Sequence, residues 1–192
     1  MIIQDDNKII AKILAGHSNA MAKLIDRYKR GGFALAYRIC RNREDAEEIL
    51  QDSFMKIYMN LDKFRFGAKF STWLFRIVYN EAISFNRKNK TRQFEEIADN
   101  YNVTNEIKDD SKEDAFIEQD MIKYLDAALE DLEEESRALL HLYYYEEKNV
   151  NEIAEILGIT PSNVKIKLFR VRKRLYSTLK RLMKNEIEEF YG

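Results

Sequence analysis

The chain has 192 residues, of which 34% are charged, 45% hydrophobic and 12% aromatic, with six glycines and one proline. That composition suits a folded, nearly all-helical protein of one or two small domains, and a single cysteine, Cys40, excludes an internal disulfide framework. The formal net charge of −1 hides a segregation, all-positive from Thr160 to Lys184 and mostly negative from Phe94 to Asp120, so one part of the chain is suited to a polyanion.

Taken in order, Ile9, Ile10, Ile13 and Leu14 predict a short helix over Asp5 to Leu14. The opening MIIQDDNK lacks the basic flank and apolar run of a secretory signal, and no apolar run reaches bilayer length; a cytoplasmic location without membrane insertion is expected. Gly16-His17-Ser18-Asn19 reads as a break, with Ser18 or Asn19 able to cap a helix over Ala20 to Tyr28. Gly31-Gly32 reads as a second break before Phe33, Leu35, Ala36, Tyr37, Ile39 and Cys40, with Cys40 expected as a buried structural thiol. His17 and His141 have no Cys or acidic companions at ligand spacing, so no metal site is expected.

Arg43 to Leu61 carries one apolar stripe: Ala46, Ile49, Leu50, Phe54, Ile57, Tyr58 and Leu61. Its other surface holds Glu44, Asp45, Glu47, Glu48, Gln51, Asp52 and Met55. A solvated acidic face accounts for the composition, but the carboxylates gather at the helix start and Gln51 and Met55 continue the same side, which suits docking of a basic helix. From Asp62 to Lys90 the aromatics Phe64, Phe66, Phe70, Trp73, Phe75, Tyr79 and Phe85 alternate with Lys63, Arg65, Lys69, Arg76, Arg87, Lys88 and Lys90. Rings that stack bases among cations that follow phosphates suit single-stranded nucleic acid. Trp73, Phe75 and Ile77 read as core; the Phe64–Phe70 loop is less well explained that way. Gly67 marks that loop and Ser71 can cap the helix that follows.

Periodicity is lost from Arg92 to about Glu118, predicting a flexible acidic linker over 92–117 between helical domains at 1–91 and 118–192. A helix then holds Ile117, Met121, Ile122, Leu125, Ala128, Leu129 and Leu132, an acidic turn follows, and another helix holds Ala138, Leu139, Leu142, Tyr143 and Tyr145. Val150, Ile153, Ala154 and Leu157 face one side of a short helix that ends at Gly158. Thr160 as N-cap and Pro161 open the next, whose apolar stripe is Val164, Leu168, Val171, Leu175 and Leu179 among Lys165, Lys167, Arg170, Arg172, Lys173, Arg174 and Lys180. A short helix, a Gly corner and a basic helix form a helix-turn-helix pattern whose second helix enters the DNA major groove. The tail from Asn185 to Gly192 is acidic and aromatic and is expected to fray. No phosphate loop, GxSxG elbow or HExxH occurs, so neither an enzyme nor a cofactor is expected.

Three stretches, EDAEEILQDSFMKIYMNL (Glu44 to Leu61), FSTWLFRIVYN (Phe70 to Asn80) and YYYEEKNVNEIAEILGITPSNVKIKLFRVRKRL (Tyr143 to Leu175), together resemble the sigma-70 family of bacterial RNA polymerase initiation factors, in the two-domain extracytoplasmic-function form. The resemblance implies an all-α fold and a factor that directs core polymerase to promoter DNA. It implies that Asp45, Glu48, Gln51, Asp52 and Met55 meet the polymerase clamp helices. It implies that Phe64 to Asn80 melts and reads the −10 element, with Phe64, Ser71, Trp73 and Asn80 forming or walling a pocket for an extruded base, Thr72 beside them, and Arg76 and Arg87 near phosphates. On the C-terminal helix it assigns the −35 element to Ser162, Asn163, Lys165, Ile166, Lys167, Phe169 and Arg170, with Arg172, Lys173 and Arg174 on phosphates. Ile166 stands where the family often has a small polar residue, so the −35 sequence does not carry over from relatives. An anti-sigma factor is a further expectation of the family. Two rival readings are a regulator that binds duplex DNA through the helix-turn-helix alone, which needs neither the acidic stripe nor the aromatic-basic segment, and a decoy that binds polymerase without DNA.

Overall fold

A computed structural model of the chain describes residues 2–66, 69–97 and 124–191, with side chains described for 5–66, 69–89 and 124–183. The described residues are helical with short connections and no strand among them: α1 (Ile2–Leu14), α2 (Met21–Cys40), α3 (Arg43–Met59), α4 (Phe70–Ile97), α5 (residues 124–130), α6 (Glu134–Tyr144), α7 (Val150–Leu157) and α8 (Pro161–Tyr191). Short 3-10 turns at Ser18–Ala20 and Leu61–Lys63 close two of the corners.

Local chemistry sets the helix ends. Asn42 caps α3, its side-chain oxygen accepting from the Asp45 N–H at 3.0 Å, and Glu44 and Asp45 place negative charge at the positive end of the helix. Asn149 and Glu152 form a reciprocal capping box on α7, with bonds of 3.0 to 3.1 Å. Thr160 accepts from the Asn163 N–H at 3.2 Å and starts α8, as its position before Pro161 predicts. Ser71, expected as a cap, instead lies inside the first turn of α4. There the Lys69 carbonyl accepts from the Trp73 N–H at 3.3 Å, which makes Lys69 the capping position and leaves the Ser71 hydroxyl for another partner.

The break expected at Gly31-Gly32 does not occur; α2 runs straight through it. Each glycine costs a helix about 0.5–1 kcal/mol relative to alanine, and burial of Leu24, Leu35, Ala36 and Ile39 along one face of α2 outweighs that. Both glycines answer close approaches. A Cβ on Gly32 would stand 2.7 Å from Leu50 Cδ1 of α3, and one on Gly31 would stand 2.5 Å from the Glu146 carboxylate. The tail expected to fray is helical through Tyr191, while α4 stays helical to Ile97, inside the stretch read as linker. Residues 98–123, which hold the rest of that stretch, and Gly67 lie outside the described residues.

The α2, α3 and α4 helices pack around Leu24, Leu35, Ile39, Ile57, Leu61, Phe70, Leu74 and Phe75, and α6, α7 and α8 around Leu139, Leu142, Ile153, Val164 and Leu168. Helix α1 closes the first group: buried Asp6 accepts from Tyr28 Oη at 2.5 Å and pairs with Arg27, which also reaches Asp5. The two groups touch, α6 against α2 and α7 against α4, and their apolar residues join in one continuous core. Among the described residues no helix is long and apolar enough to cross a membrane.

Candidate nucleic-acid interface

The 3.6-residue repeat of α8 turns Val164, Leu168 and Val171 inward. Ser162, Asn163, Lys165, Ile166, Phe169, Arg170 and Lys173 are left in solvent. Phe169 is 69% and Ile166 48% exposed, so two large apolar side chains stand open on an otherwise cationic face, an arrangement suited to base-edge contact such as a thymine methyl. Lys167 belongs to a different side of the helix, three residues on from Val164, and pairs with Glu135 of α6. Two of the cations expected on phosphates, though exposed, also make contacts within the fold. Arg174 donates to the Asp131 carbonyl at 2.7 Å, and Arg172 donates to Tyr144 Oη at 2.8 Å with its guanidinium 5.2 and 5.5 Å from the rings of Tyr143 and Tyr144. Hydrogen bonding to these two tyrosines, Tyr143 first, raises the Arg172 pKa further.

The aromatic-basic segment resolves into three parts. Phe64 and Phe70 are buried, in a cluster with Phe66, Trp73 and Tyr28 whose ring centroids lie 5.5 to 5.9 Å apart at steep angles. The loop aromatics therefore serve mainly as core, and Phe66 is the ring of that cluster left substantially in solvent. Behind it, Trp73, Ile77, Asn80 and Glu81 of α4 meet Lys56 of α3 and its C-cap Asn60, with Lys63, around a cleft of about 440 Å³, a volume typical of a small-molecule pocket. Its rim is ordered by a Lys56–Glu81 ion pair and by Lys63 donating to Asn60 Oδ1 at 2.6 Å. Arg76, Asn80 and Arg87 are exposed along one line of α4, at steps of four and seven residues.

Ser71 and Thr72 point elsewhere. Ser71 Oγ accepts from Lys148 Nζ at 2.9 Å, and the buried Thr72 hydroxyl donates to Glu152 Oε1 at 3.4 Å. Thus Trp73 and Asn80 share the cleft, Arg76 and Arg87 flank it, Phe64 supports it from the core, and Ser71 and Thr72 lie under the C-terminal group. Lys56, Asn60 and Glu81 are the cleft residues that the sequence reading missed, while Lys63 was read only as one of the segment's cations. The repeat of α3, four residues on from Asp52 and Lys56, was the available signal for Lys56 and Asn60.

On α3, Glu48, Gln51, Asp52 and Met55 form an exposed strip, while Asp45 is half-buried at the edge of a cavity of about 790 Å³ lined also by Cys40, Arg41, Tyr79, Glu130 and Arg137. Met59, 71% exposed, extends the strip one turn beyond Met55. Tyr58, expected in the apolar stripe, is half in solvent, at the edge of a stripe whose neighbouring members Ile57 and Leu61 are buried. Cys40 is half-buried rather than buried; its Sγ donates to the Asn42 carbonyl at 3.3 Å, and burial pushes the thiol pKa up.

Comparison with known proteins adds six findings. The family profile for sigma-70 region 2 matches residues 24–92, and that for sigma-70 region 4 matches residues 122–175. The chain is 33% identical to the ECF RNA polymerase sigma factor SigW of Bacillus subtilis strain 168, over 91% of this chain and 97% of that one. It is 26% identical to the ECF RNA polymerase sigma-E factor of Haemophilus influenzae, over 93% and 97%. Its fold resembles CnrH, solved in complex with the cytosolic domain of CnrY, at a TM-score of 0.67, 21% identity and coverage of 92% and 97%. It also resembles RpoE of Bartonella quintana, solved with the anti-sigma factor NepR, at 0.64, 24% identity, 83% and 96%.

Proposed function

The chain belongs to the sigma-70 family, in its extracytoplasmic-function group, and directs core RNA polymerase to specific promoters for transcription initiation; on that premise we propose how its surfaces divide the work. One observation carries the division. Two surfaces suited to DNA, of different kinds, occur on one chain: an open cationic-apolar face on α8 and a cleft flanked by a line of cations on α4.

The α8 face reads the −35 duplex, with Lys165, Ile166, Phe169 and Arg170 at base edges, Ser162 and Asn163 at the helix start, and Lys173 on phosphate. Arg172 and Arg174 hold α8 on its own domain, as does Lys167. The α4 cleft takes a base extruded from the non-template strand of the −10 element, Trp73 offering a ring face and Asn80 an amide. Arg76 and Arg87 follow the backbone. The α3 strip of Glu48, Gln51, Asp52 and Met55, with Asp45 at its edge and Met59 beyond, docks on the clamp helices of core polymerase. The functional units run 1–91 and 118–192, with 92–117 between them. The protein works in the cytoplasm as an initiation factor rather than a catalyst. The similar structures, one solved with an anti-sigma factor and one with the cytosolic domain of CnrY, support a silencing protein partner for this chain too. A regulator that uses the helix-turn-helix alone has no use for the α3 strip or the α4 cleft.

The test uses holoenzyme on a promoter that supports run-off transcription, with 2-aminopurine placed through the non-template −10 strand. Wild-type protein is expected to raise the fluorescence of one extruded base. Asn80→Ala, which removes hydrogen bonds to that base worth about 1–1.5 kcal/mol, is expected to lower open-complex formation roughly tenfold with core binding unchanged. Equal open-complex formation by the two proteins contradicts the assignment of the cleft.

A further inference from the structure

Resting on the −35 assignment above, we propose that Ile166 and Phe169 read the C5 methyl groups of pyrimidines in that duplex, so that thymine and 5-methylcytosine are accepted alike and unmethylated cytosine is not.

Val164, Leu168 and Val171 turn one side of α8 inward, and Thr160 fixes its start. Ile166 and Phe169 lie three residues apart on the opposite side, which makes their side chains neighbours with Cβ atoms roughly 5–6 Å apart. Both stand largely in solvent, and the rings nearest in sequence pair with one another instead, Tyr143 with Tyr144 and His141 with Tyr145. Apolar residues scattered singly over a surface are ordinary. Two side by side within a cationic face form a contact surface.

The surround decides what covers it. Ser162, Lys165, Arg170 and Lys173 are exposed around the pair, and no acidic residue occurs from Thr160 to Lys184. Lys167 and Arg174, on one flank of α8, are drawn to Glu135 and Asp131, so the open positive charge gathers around Ile166 and Phe169. A polyanion complements that rim, whereas an apolar protein surface would leave its cations unpaired.

The chemistry of the major groove decides what the pair reads. Lysine and arginine only donate, and so address phosphates and the O6 and N7 acceptors of guanine. Isoleucine and phenylalanine neither donate nor accept, and the apolar group that a base pair turns into the major groove is the C5 methyl of thymine. 5-Methylcytosine carries the same methyl on the same carbon, with an amino group in place of the neighbouring carbonyl oxygen. Side chains that touch only the methyl do not distinguish those two neighbours. Unmethylated cytosine offers them nothing to bury. Three helical residues advance ~4.5 Å, against ~3.4 Å for one base-pair step, so the pair covers one base pair or two adjacent ones. Cytosine-5 methylation of a −35 element with cytosine at that place therefore strengthens the promoter with no change in the protein.

The test uses holoenzyme formed with the full chain, at one fixed salt concentration, on a promoter that supports run-off transcription. Each −35 thymine of either strand is replaced in turn by uracil, which removes one methyl and nothing else. Uracil is expected to weaken binding about fourfold at one position or at two adjacent ones. Where it does, a C·G pair put in place of T·A is expected to bind about fourfold better with its cytosine methylated than without. Both responses are expected to vanish with Ile166→Ser plus Phe169→Ala, a variant whose circular dichroism checks that the helical fold is kept. A uracil scan that is flat at every position overturns the proposal, as does a methyl response of equal size in the unmutated chain and the variant. A flat uracil scan beside a −35 transversion that abolishes run-off removes methyl reading and leaves the −35 assignment standing. Transversions without effect remove both.

Discussion

Lys165 and Lys167 sit two positions apart on α8 and meet opposite surroundings: Lys165 stands in solvent, while Lys167 reaches back to Glu135. The helical repeat was sufficient to separate them, since Lys167 falls three residues after buried Val164, but a count of positive charges was not. Arg172 could not be placed from sequence, because its tyrosine partners lie on α6, about 30 positions earlier, and only the packing of α8 on α6 brings them together. Phe64 shows the same limit. Alternation of rings and cations is legible, but whether a ring faces water is decided by Phe70, Trp73 and Tyr28 closing over it. Buried hydroxyls give a prediction at this scale. Burial, with Asp6 beside Tyr28 and Glu135 beside Tyr79, raises both tyrosine pKa values well above their ordinary value of 10.0. Where the folded pKa is the higher one, the native state holds more protons than the unfolded chain above pH 10, so stability is full below that pH and falls as pH rises through it. Chemical denaturation from pH 8 to 11 is expected to show that decline, and Tyr79→Phe is expected to make it shallower; an unchanged slope contradicts the account of Tyr79.

At the scale of the elements, α3, α7 and α8 are closest to their sequence expectations because caps, corner and stripe agree. Gly158 ends α7 with φ of +69° and nothing within 4 Å of a would-be Cβ, so its role is conformational alone. Gly158→Ala is expected to cost about 1–2 kcal/mol, seen as a fall of roughly 3–6 °C in the thermal midpoint, with a native circular dichroism spectrum below the transition. A midpoint shift under one degree would mean that the corner is not held left-handed. Gly31-Gly32 misleads for an instructive reason. Glycine signals either a turn or a close approach, and only the location of Leu50 and Glu146, set by tertiary packing, distinguishes the two. Tyr58 misleads likewise: it belongs to the expected stripe of α3 but stands half in solvent beside buried Ile57 and Leu61, because it lies at the stripe's edge.

At the scale of the molecule, the sequence reading reached the helical class and the order of its surfaces, because motif and periodicity are local. It could not reach the contact between the two groups, which depends on Lys148, Glu152 and Arg137, residues that no local pattern singled out. The central claim is that polymerase docking and promoter reading occupy separate surfaces of one chain. The most direct measurement compares two variants of the full chain for co-elution with core polymerase and for discrimination of the −35 element by holoenzyme on run-off templates. Asp52→Lys is expected to weaken core binding at least tenfold, with isolated −35 duplex binding kept within about twofold. Lys165→Ala with Arg170→Ala is expected to abolish −35 discrimination, each lost base contact costing about 1–3 kcal/mol, with core binding unchanged. Equal loss of core binding in the two variants would contradict the account.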